Sequence, residues 1–444
     1  MRYTPPMEPD RQVEIQLGHM CNNRCVFCVS GQRTAMREAF PLPEAPILAK
    51  LDEARAKGHE KLTLLGGEPT LQPTFFKVLQ HAVSLGFSEI VIFTNGVKTA
   101  NADFVDRILA TGGPFHFRIS IQGATREAHE LTTRKHGSFL RILRTLENLR
   151  AREQRISINM CVVRSNYESV DAFPELCTRF GVEQLHLDMM RPLDAGDRTE
   201  EELKNSMPDY TEMVPALARM IQGFRTLAPD FDVNIGNLPY CVAPELLPYI
   251  HHDGESTATI AIDGDDTLSE PWDKYLVKRR DKLKHERCTS CLLSSRCSGF
   301  FETYARFYGM GALAPLTPTR MLDDALAASR QALAQEGVTL LAPGEMPAPG
   351  QVARSIAIRL ERLTAAAPFG ELRWEGTTLE EGGSLARLIF LVPSGERAQV
   401  WLSQDGRRAK AGYEVGSAPS TEIVAGLREL MQALTPPEAR VSSV

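Results

Sequence analysis

From residue 12 onward, short apolar runs alternate with longer stretches in which apolar positions recur every three or four residues. The runs at 12–17, 61–65, 89–94, 115–121, 157–163 and 184–189 predict β-strands. The periodic stretches at 42–56, 72–85, 101–110, 140–153 and 169–180 predict amphipathic helices. Strand and helix in strict alternation predict βα units around a parallel sheet. Six units fall short of the eight that close a full barrel, so the expected fold is α/β, an open, partial (β/α)6 TIM-like barrel. Such sheets present reacting groups at the C-terminal ends of their strands. That places Cys21–Cys28, then Gly66-Gly67-Glu68-Pro69, then Thr94-Asn95-Gly96 on one rim, after the first, second and third strands.

Beyond residue 194 the pattern changes. A polar stretch at 194–209 interrupts it before a helix predicted over 210–227. Residues 231–312 are loop-rich, with short strands predicted at 233–235 and 257–262, and a helix over 320–336 follows. The Pro- and Gly-rich connector 342–350 reads as a domain boundary. After it come a helix (351–365), four strands (370–375, 386–392, 398–402, 409–415) and a helix (421–434), a small α+β unit without Cys or His. The expected organisation is a core at 1–230, a cysteine-rich extension at 231–312, a helical linker at 313–344 and an accessory domain at 345–444.

Composition narrows the function class more than the fold. A net charge of −6 supplies no general attraction for nucleic acid, and none is expected as a partner. The N-terminus has no secretory h-region, and no run approaches the ~18 apolar residues of a membrane span. Nine cysteines without an export signal argue against a disulfide framework and for a reducing, cytoplasmic setting. Three of them lie at Cys21, Cys25 and Cys28, four at Cys241, Cys288, Cys291 and Cys297, and Cys161 and Cys177 stand alone. The two isolated ones read as core packing.

The spacing C-x3-C-x2-C at Cys21–Cys28 offers three thiolates and no fourth. A closed structural zinc site needs four ligands, whereas a cubic iron–sulfur cluster on three thiolates keeps one iron open. A zinc loop borrowing a remote fourth ligand is the competing reading. His19 beside the loop, and His129 and His186 further on, read first as structural. For Arg134 an ion pair with an anionic group and plain surface exposure stand level.

From Cys21 onward the chain resembles the radical S-adenosylmethionine (SAM) superfamily, through the three-cysteine loop with aromatic Phe27 before the last cysteine and the Gly66-Gly67-Glu68-Pro69 run after the second strand. The resemblance implies that Cys21, Cys25 and Cys28 hold a [4Fe-4S] cluster whose free iron is chelated by SAM, and that reductive cleavage yields a 5′-deoxyadenosyl radical that abstracts hydrogen from substrate. It assigns SAM contacts to Phe27, Gly66, Gly67, Glu68, Pro69, Ser120, Gln122 and Asn166, with the Glu68 carboxylate suited to the SAM ammonium.

The block Cys288-x2-Cys291-x5-Cys297 resembles the SPASM and twitch extensions of the same superfamily. Phe301 stands where the fuller pattern has a further cysteine, and only Cys241 precedes the block, so the resemblance implies one auxiliary [4Fe-4S] cluster on Cys241, Cys288, Cys291 and Cys297. Structural zinc is the alternative there. Expected partners are a peptide, or a small molecule in cofactor or natural-product biosynthesis, and a reductant such as flavodoxin or ferredoxin. The segment before the first strand is too short for the usual leader-peptide recognition module, which leaves the C-terminal domain to replace it or merely to pack. A metal-binding scaffold without catalysis is the reading of another class.

Overall fold

The computed structural model describes residues 12–434 apart from 253, 255, 264–265, 312, 336, 349 and 406–407. The chain divides into two compact units: Met1–Leu238 with Tyr249–Lys282 and Phe300–Gly309, and Pro239–Pro248 with Leu283–Gly299 and Met310–Val444.

The first unit is built on the predicted alternation. Its strands are β1 (Gln12–Gln16), β2 (Lys61–Leu65), β3 (Glu89–Thr94), β4 (Phe115–Ser120), β5 (Arg155–Val162) and β6 (Gln184–Met189), each parallel to the next. Their centres are buried, as in the Ile90–Ile92 stretch of β3, because helices cover one face and the barrel interior the other. The covering helices are α1 (Val29–Met36), α2 (Glu44–Ala56), α3 (Phe75–Ser84), α4 (Ala102–Leu109), α5 (Arg126–Thr133), α6 (Ser138–Arg150) and α7 (Phe173–Phe180). Asn101 and Thr125 cap α4 and α5 through their side chains, and Gly181 in the left-handed region at φ 65 ends α7.

The sheet is longer than six strands. Past α8 (Glu200–Ser206) and α9 (Tyr210–Leu227), β7 (Asp232–Gly236) adds to β6 and β8 (Ile250–His251) adds to β7. On the other edge β9 (Thr257–Ile260) pairs in parallel with β1, and β10 (Trp272–Asp273) pairs antiparallel with β9. The order β10-β9-β1-β2-β3-β4-β5-β6-β7-β8 is open at both ends. Residues expected to belong to the cysteine-rich extension thus extend both edges of the barrel sheet. A short helix, α10 (Lys274–Arg279), follows β10.

Three local expectations need correction. α1 lacks a broad apolar stripe, burying only Ser30 and Gly31, so periodicity missed it. α8 lies inside the polar stretch at 194–209; it buries no residue and is held by a capping box between Thr199 and Glu202. The helix expected over 320–336 is broken into Pro318–Met321 and Ala327–Gln335, because Asp323 is extended and its carboxylate caps a new turn at Ala325.

In the second unit, strands Thr339–Leu341, Arg373–Glu380, Leu385–Leu391, Arg397–Asp405 and Arg408–Glu414 form an antiparallel sheet in that order. Helices Arg354–Ala366 and Thr421–Leu434 supply Ile356, Leu360 and Leu363, and Ile423, Leu427 and Leu430, to one core with Leu388 and Val400. The spacing i, i+4, i+7 on both helices is what buries a single stripe. The first strand, at the edge of the Pro/Gly connector, is one more than the pattern predicts. Among the described residues no helix is long and apolar enough to cross a membrane.

Candidate active site

β1 ends into a loop that carries all three N-terminal cysteines and runs directly into α1, with Cys28 as its extended N-cap. The loop is fastened by backbone hydrogen bonds. Arg24 and Val26 donate to the carbonyls of Thr133 and Thr132 at the end of α5 (2.9 and 3.1 Å), and the amides of Gly67 and Glu68 donate to Gly18 and Met20 (2.7 Å each). Glycine is required at these contacts. A Cβ on Gly67 would stand 2.4 Å from the His19 carbonyl oxygen, and one on Gly31 would meet the Cys25 nitrogen at 2.8 Å. Gly66 adds a φ of 143, a conformation open to few side chains.

These contacts draw Cys21, Cys25 and Cys28 to one cavity of about 120 Å³, whose walls include Phe27, Gly66, Gly67, Asn95, Ser120 and Gln122. Of the residues expected at the site, Glu68, Pro69 and Asn166 do not line it. Glu68 is 1% exposed. Its Oε1 accepts from the Thr70 amide (3.1 Å) and from the Thr70 and Thr94 hydroxyls (2.5 and 2.6 Å), and its Oε2 from the Asn95 amide (2.7 Å). Both oxygens are therefore committed to the protein, and Glu68 braces the turn after β2 against the turn after β3. Pro69 begins the short 3-10 turn behind it. The Asn166 side chain accepts from the Val163 amide (2.8 Å) and donates to the Cys161 and Gln122 carbonyls (2.9 and 3.3 Å).

Gln122 donates to Ser120 Oγ (2.6 Å) and accepts from the Cys161 amide (2.9 Å), which holds both polar side chains at the ends of β4 and β5. Asn95 Nδ2 donates to Asn22 Oδ1 (2.6 Å) and to Cys21 Sγ (3.7 Å), and the Asn23 amide to the same sulfur (3.4 Å). Burial pushes the Cys21 thiol up to about 12, with the nearby Glu68 carboxylate adding to it. Burial also raises Cys25 well above the ordinary thiol range, assisted by Cys28 and Cys21, and burial raises Cys28.

A second cavity, of about 530 Å³, shares Phe27, Cys28, Gly66 and Phe93 with the first. His19 lines it, hydrogen-bonded through Nδ1 to Ser30 Oγ (2.9 Å). Asn159 and Cys161, two apart on β5, line it as well. Cys177 is fully buried in α7, as expected, but Cys161 is a wall residue, and the period-2 rule applied from Asn159 would have found it. Glu14 on β1 and Asp188 on β6 face the same space. Their legible signal was a carboxylate within a predicted strand of the barrel. Burial pushes Glu14 up, and the Lys274 ammonium outweighs it to leave the carboxyl low; Asp188 is held well below the usual range chiefly by Lys278 and His186 against its burial.

His129 is fully buried and accepts from the Gln122 amide (3.0 Å), and His186 bonds Asp188 (2.9 Å). Arg134 is exposed and ends α5 at a φ of 49.

In the second unit Cys241, Cys288, Cys291 and Cys297 lie within electrostatic reach of one another. Burial raises Cys241 to about 12 and Cys291 to about 11, the neighbouring sulfurs adding to Cys241. Backbone amides face the sulfurs: Gly299 donates to Cys297 Sγ at 3.3 Å, and Ala314 and Leu316 point at Cys241 and Cys291. Among the described residues no three His, Cys, Asp or Glu side chains converge tightly enough to grip a single ion.

Residues 15–177 match the family described as the Radical SAM superfamily. The chain is 32% identical over 310 residues to the mycofactocin maturase MftC of Mycobacterium ulcerans, covering 64% of this chain and 80% of that one. It is 29% identical over 191 residues to an AdoMet-dependent heme synthase of Methanosarcina barkeri, covering 43% of this chain and 54%, about half, of the relative. Streptococcus suis SuiB bound to S-adenosylmethionine superposes with a TM-score of 0.47 at 15% identity, over 66% of this chain and 73% of that one. By the match over its barrel and its identity along most of the maturase, the chain belongs to the radical SAM superfamily and is an enzyme of that class.

Proposed function

We propose that this radical SAM enzyme holds its [4Fe-4S] cluster on Cys21, Cys25 and Cys28, binds SAM in the adjoining cavity, carries one auxiliary [4Fe-4S] cluster in the second unit, and modifies a peptide. The observation that carries the reading is the meeting of the three thiols with Gly66, Gly67, Ser120 and Gln122 around one cavity at the strand ends.

The donor set fits a cluster. Burial raises the pKa of all three thiols, so their thiolates need the positive charge of bound iron to form. Amide donors at Cys21 Sγ (Asn23 N and Asn95 Nδ2) suit a thiolate ligand. Glycine backbone at 66 and 67 leaves room for a close ligand. When bound, the cluster and SAM together supply the radical that takes hydrogen from an unactivated carbon. The chain's own part is to position SAM and substrate beside Cys28, in a half-open space lined by apolar side chains and by Glu14, Asp188 and Lys278.

The four cysteines of the second unit suit a closed auxiliary cluster, because four thiolates leave no open iron and backbone amides face all four sulfurs. A peptide substrate is supported by the identity to MftC, a maturase, along 80% of that relative. Flavodoxin or ferredoxin is the proposed class of reductant.

Anaerobic reconstitution tests the reading. The expected result is about eight irons per chain and release of 5′-deoxyadenosine on reduction with SAM. Replacing Cys21, Cys25 and Cys28 together by Ala is expected to leave about four irons and no SAM cleavage. Bound zinc without SAM cleavage would overturn it.

A further inference from the structure

The larger cavity pairs its charges unevenly. Lys274 on α10 donates to Glu14 Oε1 at 2.5 Å. Asp188 accepts from His186 Nε2 and Asn237 Nδ2, both at 2.9 Å. Lys278, one turn beyond Lys274, lies 3.9 Å from Asp188 Oδ1, outside hydrogen-bond reach. Among the described residues its ammonium has no hydrogen-bond acceptor, although its side chain is only 21% exposed. An ammonium carries three donors, and leaving them unfilled in a half-enclosed space is costly.

Lys278 lines the same cavity as Cys28 and Cys161. Its charge acts on Glu14, Asp188, Asp194 and Cys161. A group held by Lys278 would therefore share one chamber with the cysteine loop. With only a long ion pair to Asp188, Lys278 is better matched by a singly than by a doubly charged acceptor. A phosphate would bring about two negative charges beside Glu14, Asp188 and Asp194, which line the same space, whereas one carboxylate matches one ammonium.

We propose that Lys278 is the anion-recognition residue of the substrate chamber and that the substrate is a peptide presenting a carboxylate to it. This rests on the reading of the chamber as that of a radical SAM enzyme and narrows the substrate class. The carboxylate, on an acidic side chain or a chain terminus, docks on the Lys278 ammonium while the adjoining carbon chain lies along the wall of Cys28 and Cys161.

The test uses the full chain, reconstituted anaerobically and loaded with SAM. Lysine acylation is followed residue by residue by mass spectrometry with acetyl-Ala-Glu-Ala-amide, its Gln counterpart, its phosphoserine counterpart or inorganic phosphate present. The Glu peptide is expected to suppress labelling of Lys278 roughly tenfold and to leave Lys274 unchanged, while the Gln peptide has no effect. Calorimetric binding of the Glu peptide is expected to survive Lys278→Arg and to weaken roughly tenfold in Lys278→Gln. Equal protection by Glu and Gln peptides, protection by neither, or binding unchanged in Lys278→Gln would overturn the proposal. Stronger protection by phosphoserine or phosphate would assign the site to phosphate instead, and overturn it as well. The wider reading fails separately: it is lost if the wild-type protein releases no 5′-deoxyadenosine, whatever the labelling shows.

Discussion

Replacing Glu68 by Gln changes shape hardly at all and removes one charge, so it isolates what the buried carboxylate does. Oε1 receives three donors and Oε2 one, two of the four being backbone amides, those of Thr70 and Asn95. The threonine hydroxyls can turn to accept; the amides cannot. Whichever way the glutamine amide points, its NH2 faces one backbone N–H and leaves that donor unpaired. A buried unpaired donor costs about 1–3 kcal/mol, and the remaining bonds lose their charge assistance. Against this, burial pushes the Glu68 carboxyl up, so a neutral side chain regains some desolvation energy. The net expectation is a loss of about 2 kcal/mol. The NH2 finds acceptors only on the Oε1 side, where the two threonine hydroxyls can turn, so the Thr70 amide is the anchor released; the same turn holds the cysteine loop through the Gly67 and Glu68 amides, so cluster retention should fall with stability. Urea unfolding of the apo chain, iron content after reconstitution and SAM binding by equilibrium dialysis read the three effects separately. If apo stability stays within about 0.5 kcal/mol of wild type while SAM affinity drops sharply, Glu68 acts on SAM directly and its role as a brace is refuted.

Other outcomes follow from single contacts. Gly67→Ala forces a methyl to within 2.4 Å of the His19 carbonyl oxygen; about 1–3 kcal/mol of destabilisation and poor cluster incorporation are expected, measured by urea midpoint and iron assay. His129 is buried neutral, its pKa pushed down to about 4 by burial. Because the unfolded chain takes up that proton near 6.5, the stability it contributes is intact above that pH and is lost as pH falls towards 4. The bound is about 3 kcal/mol, and His129→Asn should flatten that part of the apo protein's stability–pH profile. Cys241→Ala should lower iron by about four per chain and leave 5′-deoxyadenosine release from the first site. Leu388→Ala, in the fully buried core of the second unit, should cost about 2–5 kcal/mol by thermal or urea unfolding.

The six strands β1–β6 and most of their helices follow from local periodicity, and the C-terminal ends of the strands locate the cysteine loop, the Gly66–Gly67 turn and Ser120 with Gln122 on one rim. The resemblance of the Cys288–Cys297 block to the superfamily's cysteine-rich extensions, with Cys241 ahead of it, is what grouped those four cysteines. These are properties of short stretches, in which a side chain's direction is dictated by a period of two or of about 3.6.

Only the tertiary structure decided the rest. Strands from 232–273 join opposite edges of the barrel sheet, because pairing partners are chosen by long-range fit of unpaired backbone groups, which no local pattern encodes. Glu68 is turned to neighbouring backbone amides and threonines and Asn166 to the backbone of Val163, Cys161 and Gln122, while Cys161 is turned to the cavity. Lys278 sits far along the chain on a six-residue helix and reaches the chamber only because β9 and β10 carry that helix to the edge beside β1. The sequence by itself determined which chemistry the rim offers, since spacing and residue type are local. The fold decided which polar side chains brace that rim and which are left to meet a ligand, since that depends on partners supplied from distant segments.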